Sequence, residues 1–151
     1  MERIYSEISA FLTADDWPFS KLDDQTIAKT SFQGKNGEFN CFIQSREEQD
    51  HMVMYSVLPV FAPPAKKDEV AAFITRANFG MIIGNFELDY EDGEVRYKTS
   101  VDLEDVSELR ILLRNMIYSN VLTMDKYLPG LMRVIFGGLS AVEAIMEIEG
   151  A

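Results

Sequence analysis

The sequence predicts an α+β fold, an antiparallel sheet flanked by helices in the order α-βββ-α-ββ-α with a helical C-terminal tail. Three observations carry that expectation. The pairs Asn36-Gly37 and Asp92-Gly93 each separate two strand-like runs, which favours antiparallel hairpins. Apolar residues recur at helical spacing around Ile4–Leu12, Val70–Ala77 and Leu109–Met124. A length of 151 residues fits one domain, residues 1–151, able to bury most of its apolar surface without disulfides or metal.

Ile4, Ile8, Phe11 and Leu12 form one face of a short first helix, which Asp15-Asp16-Trp17-Pro18 stops because the residue before proline avoids helical geometry. Thr26 to Gln33 and Phe39 to Arg46 follow as two strands about a Lys35-Asn36-Gly37-Glu38 turn. Phe39, Cys41 and Ile43 share one face of the second strand, with Phe42 on the other. After the polar bend Glu47-Glu48-Gln49-Asp50, the third strand, Met52 to Phe61, is apolar on both faces, which predicts a central or doubly covered position. Pro63-Pro64 ends it. Lys66 to Phe79 is the second helix, with Val70, Phe73, Ile74 and Ala77 as its buried stripe and Gly80 placed to close it.

The second hairpin comprises Gly84 to Tyr90 and Glu94 to Leu103 around a two-residue turn at Asp92-Gly93. Asp105-Val-Ser-Glu108 has the spacing of a capping box for a long third helix with a seam from Leu109 to Met124. Pro129-Gly130 and Gly137-Gly138 are expected to cut the chain beyond it into short pieces. Ser140-Ala-Val-Glu143 repeats the capping-box spacing and opens a last helix.

Charge narrows the possible partners. With 25 acids against 14 bases and a net charge of −11, the field has the wrong sign for nucleic acid or an anionic membrane, and suits a basic peptide or cationic protein surface. Cys41 is the one cysteine, so neither an internal disulfide nor a thiol zinc site is expected. The N-terminus lacks the basic start and apolar core of a signal peptide, and no apolar stretch approaches the roughly 20 residues of a membrane span. The expectation is a reducing cytoplasm.

Nothing in the sequence assembles chemistry. His51 follows Asp50 in a bend, without a marked nucleophile or oxyanion hole, and reads as an exposed histidine. Cys41 reads as a small buried apolar residue. Glu87, Asp89, Asp92 and Glu94 could offer oxygen ligands to calcium but lack the spacing of a calcium loop. Gly80-Met-Ile-Ile-Gly84 leads into a strand, unlike a phosphate loop. No catalytic residue, cofactor or metal site is expected. The methionines and the apolar faces exceed what a lone monomer needs, which points to a homodimer or a groove for another chain.

Several runs carry a family resemblance: Met54-Tyr55-Ser56-Val57-Leu58-Pro59 with Pro63-Pro64, Arg76-Ala-Asn78, Gly84-Asn85-Phe86-Glu87-Leu88-Asp89, and Gly93-Glu94-Val95-Arg96-Tyr97-Lys98-Thr99-Ser100. Met124-Asp125-Lys126-Tyr127-Leu128-Pro129 and Ser140-Ala141-Val142-Glu143-Ala144 extend it. From Trp17 onward the chain resembles the YbjN family of bacterial proteins. The resemblance implies a fold similar to type III secretion chaperones, usually dimeric, which hold extended client segments on apolar patches of helix and sheet.

The resulting expectation is a non-enzymatic module that holds a segment of another protein. Its expected contacts are Phe42, Met52, Met54 and Leu58 on one sheet face, with Ile4 and Ile8 on the first helix. The same residues could instead be core or dimer interface. The alternative function is a small-molecule sensor with a pocket between the long helix and the sheet.

Overall fold

The computed structural model describes residues 2–150. In chain order the elements are α1 (Arg3–Ala14), β1 (Phe19–Lys21), β2 (Ile27–Gln33), β3 (Glu38–Arg46), β4 (His51–Val57), α2 (Lys67–Asn78), β5 (Asn85–Leu88), β6 (Val95–Asp102), α3 (Leu109–Ile135) and α4 (Ala141–Glu149). The strands make one antiparallel sheet ordered β1-β2-β3-β4-β6-β5. Its strands alternate buried and wetter residues, so the helices cover one face only.

The covered face joins Cys41, Ile43, Met52, Met54 and Tyr97 to Ile4, Ile8 and Leu12 of α1, Phe73 of α2, and Leu113, Ile117 and Met124 of α3. At its centre lies the fully buried Asn120. Its amide donates to the Met54 carbonyl and to Thr99 Oγ1, both at 3.0 Å, and its oxygen accepts from Ser56 Oγ at 2.5 Å. A buried amide with its polar atoms satisfied fixes α3 over β4 and β6 in one register. Ile117, Val121 and Met124 fill the rest of that space, where the sensor alternative needed a pocket.

Several expectations need correction. The sheet gains an edge strand, β1, too short for periodicity to reveal. Thr30 Oγ1 donates to the Pro18 carbonyl beside it, at 2.6 Å. β4 ends at Val57 rather than Phe61; Leu58 still donates to the Val95 carbonyl, but the next residue is Pro59, which has no amide hydrogen. The β5–β6 connection is wider than two residues. Asp89 donates to the Glu94 carbonyl and Gly93 to the Asp89 carbonyl, with Gly93 at φ +87°. No capping box forms at Asp105, which takes φ +60°, and Glu108 precedes α3 without a side-chain cap. The box at Ser140 and Glu143 does form.

The largest difference is α3 itself, which continues through Pro129-Gly130 for 27 residues. Proline at 129 removes the amide that would bond the Asp125 carbonyl. That carbonyl instead accepts from Asn36 Nδ2 at 3.0 Å, while the Asp125 carboxylate takes the Lys35 and Asn36 amides at 3.1 and 2.9 Å. The β2–β3 turn thus fills the gap that the proline leaves. Gly130 serves the other side of the helix: a Cβ there would lie 2.8 Å from the Phe73 ring and 2.9 Å from Ile148, so its absence admits α2 and α4.

Candidate partner-binding surface

The uncovered sheet face is assembled by register. Lys29, Phe42, Tyr55, Lys98 and Asn85 stand in one row across β2, β3, β4, β6 and β5. Ile27, Gln44, Val53 and Ser100 form the next row, and Arg46, His51 and Asp102 a third. On the other side, Ser31, Asn40, Val57, Arg96 and Glu87 complete the surface. An apolar band of Ile27, Phe42, Val53, Tyr55 and Val57, each half-buried, therefore crosses the strands within a polar frame.

The band lines two adjoining depressions. One, of about 660 Å³, is bounded by Gln44, Arg46, Val53, Tyr55 and Lys98; the other, of about 230 Å³, by Ile27, Phe42, Val57 and Arg96. Arg96 lies over the Tyr55 ring, its guanidinium carbon 4.0 Å from the centroid, a cation–π contact on the exposed side of the sheet. Glu87 holds Arg96 at 2.7 Å and Lys98 at 2.9 Å. Burial pushes the Glu87 carboxyl up, but the bonds from Lys98 and Arg96 outweigh it and leave it below the usual carboxylate range.

Five of the six expected contact residues lie elsewhere. Ile4, Ile8, Met52, Met54 and Leu58 belong to the protomer's own core, where a partner reaches them only by opening it. Phe42 alone faces outward, opposite Met52 and Met54, because it pairs with Tyr55 rather than with them. Grouping it with those methionines was a register error of one residue, which sends a side chain to the other face. The missed residues are Ile27, Val53, Tyr55, Val57, Arg96 and Lys98. The signal for them was β3, whose Asn40, Gln44 and Arg46 mark the wet face and whose Phe42 then selects Tyr55 across the ladder.

Three of the four acids considered as metal ligands have other engagements. The Asp89 and Asp92 carboxylates accept the Glu91 and Glu94 amides and shape the β5–β6 turn, while Glu87 holds its two cations. Cys41 is buried, and burial raises its thiol to about 11, only partly opposed by the Ser56 hydroxyl.

A second apolar patch lies apart from the sheet face. Phe79 and Ile82, 90% and 93% exposed, project from the α2–β5 connection. Ile83 of the same connection meets Tyr118, Leu122, Arg114 and Asp15 in a shallow depression.

The fold has solved counterparts. The ExsC–ExsE complex matches with a TM-score of 0.59 at 9% identity, over 84% of this chain and 92% of that one. The Escherichia coli YbjN structure, a "putative transcription regulator", matches at 0.58 and 12% identity, over 78% and 86%. The HopA1–SchA chaperone–effector complex matches at 0.54 and 12% identity, over 82% and 94%. At such identities the likeness speaks for the fold alone, the α+β arrangement of the secretion chaperones. No curated protein sequence matches the chain. The family pattern described as "Putative bacterial sensory transduction regulator" matches residues 5–131, from within α1 to the last third of α3. The chain belongs to the YbjN family.

Proposed function

We propose that this protein is a non-enzymatic, chaperone-like module that holds a segment of a partner protein on its uncovered sheet face. The observation that carries the reading is the aromatic and aliphatic band of Ile27, Phe42, Val53, Tyr55 and Val57, which no element among the described residues covers. Structures with this fold include a chaperone bound to an effector, which favours the same use here. A reducing cytoplasmic setting belongs to the proposal and suits a buried, unpaired Cys41.

Capture from lysate tests the reading, with the parent protein beside Phe42→Thr and Tyr55→Thr. Threonine keeps strand propensity, so both variants should retain the parent's circular dichroism. A partner held by the parent and lost by both variants supports the reading. A partner held equally by all three sinks it.

The proposal includes a homodimer formed through Phe79, Ile82, Ile83 and Leu122. Asp15 and Arg114 border this patch, so a two-fold pairing can set each beside its opposite in the second copy. Light scattering should give twice 17.2 kDa for the parent and 17.2 kDa for Ile82→Asp. A monomeric parent would remove this part and leave the sheet-face reading intact.

A further inference from the structure

We propose that the uncovered face selects an extended acidic segment, carboxylates flanking an aromatic residue, rather than the basic segment that the net charge suggests. The inference rests on that face being the binding surface. Of the chain's 14 bases, Lys29, Arg46, Arg96 and Lys98 stand on it; of its 25 acids, Glu38, Glu87 and Asp102 do, together with Glu94, which lines the smaller depression beside Arg96 and outside the line from Lys29 to Arg46. The face is thus about neutral, and the remainder of the chain carries the net charge of −11. The acidity read from composition therefore lies elsewhere.

Glu87 is occupied by Arg96 and Lys98, and Asp102 accepts the Glu104 amide. Lys29 and Arg46 have no ion-pair partner among the described residues. Lys29 stands opposite Phe42, and Arg46 lies four residues further along β3, about 13 Å away at ~3.3 Å per residue. Phe42, Gln44, Val53 and Tyr55 occupy the interval. An extended ligand presents residues i, i+2 and i+4 on one side. Carboxylates at i and i+4 then meet the two free cations, and an aromatic at i+2 meets the band. Nucleic acid does not fit, because its continuous charge would run from the face onto the acidic flanks within a Debye length.

The probe is a fluorescein-labelled peptide, Gly-Ser-Asp-Ser-Trp-Ser-Asp-Ser-Gly, beside a counterpart with both aspartates replaced by lysine. Fluorescence anisotropy is read at 50 and 150 mM salt. Two exposed ion pairs predict that the acidic peptide binds about three- to tenfold tighter. Lys29→Glu with Arg46→Glu should reverse that preference, and Phe42→Thr should weaken both peptides alike. A parent that prefers the lysine peptide, with both still lost on Phe42→Thr, overturns the charge selection but leaves the binding face standing. Binding indifferent to Phe42→Thr removes the face itself. Binding of neither peptide at millimolar protein overturns the i, i+4 motif, and the lysate capture then judges the face separately.

Discussion

Replacing Asn36 by alanine removes the donor that closes the proline gap in α3, and it tests whether the β2–β3 turn is what makes a 27-residue helix tolerable. Asp125, whose carbonyl accepts that donor, is only 7% exposed, so water compensates poorly. Leaving a buried carbonyl unpaired costs about 1–3 kcal/mol; with Asn36 itself exposed, about 1–2 kcal/mol is expected. For a chain of this length that lowers Tm by about 2–6 °C. In a Pro129→Ala background residue 129 regains an amide that can bond the Asp125 carbonyl, and Asn36→Ala should then cost under about 0.5 kcal/mol. Urea and thermal unfolding of the four proteins, followed by circular dichroism, give a coupling near 1 kcal/mol. Effects of alanine on the turn itself occur in both backgrounds and cancel. Equal cost in the two backgrounds would refute the pin. The hairpin would then be docked by the Asp125 carboxylate and apolar packing, and α3 would tolerate its proline for another reason. The result bears on function as well, because this hairpin carries Ile27, Lys29 and Phe42 of the proposed surface.

Two further outcomes follow from a capping carboxylate and a buried thiol. The Glu47 carboxylate accepts the Ile4 and Tyr5 amides at 3.0 and 2.8 Å and so caps α1 from across the sequence. Glu47→Ala should cost about 1 kcal/mol in urea unfolding. Burial raises the Glu47 carboxyl, yet the hydrogen bonds from those amides help hold it below its ordinary value of 4.5. Its stabilisation is therefore complete above about pH 4.5 and fades as pH falls through the native value, so parent and variant should converge in acid. A constant difference down to pH 2 would exclude this linkage. Cys41, raised to about 11 by burial, should resist iodoacetamide at pH 8 in the folded protein and react in 6 M guanidinium. Alkylation at equal rates in both states would contradict its burial.

The helices and hairpins were legible where a pattern repeats. The apolar stripe Val70, Phe73, Ile74 and Ala77 and the cap at Ser140 are local, fixed by 3.6-residue spacing and by a side chain reaching its own helix. The candidate surface was harder to read. Met52 and Tyr55 are both apolar, and alternation separates the two faces of β4 without saying which one the helices cover.

Sequence by itself determined the α+β class, the family and the buried cysteine, because spacing, composition and motif are properties of neighbours along the chain. Tertiary structure decided the rest. It buried Ile4, Ile8, Met52, Met54 and Leu58 and turned Phe42 and Tyr55 outward, since a strand acquires an inside only when helices choose a side. It carried α3 through Pro129, since the missing hydrogen bond is supplied from a turn about 90 residues away. It also concentrated the acids away from the sheet face, a separation that net charge, being a sum, does not contain.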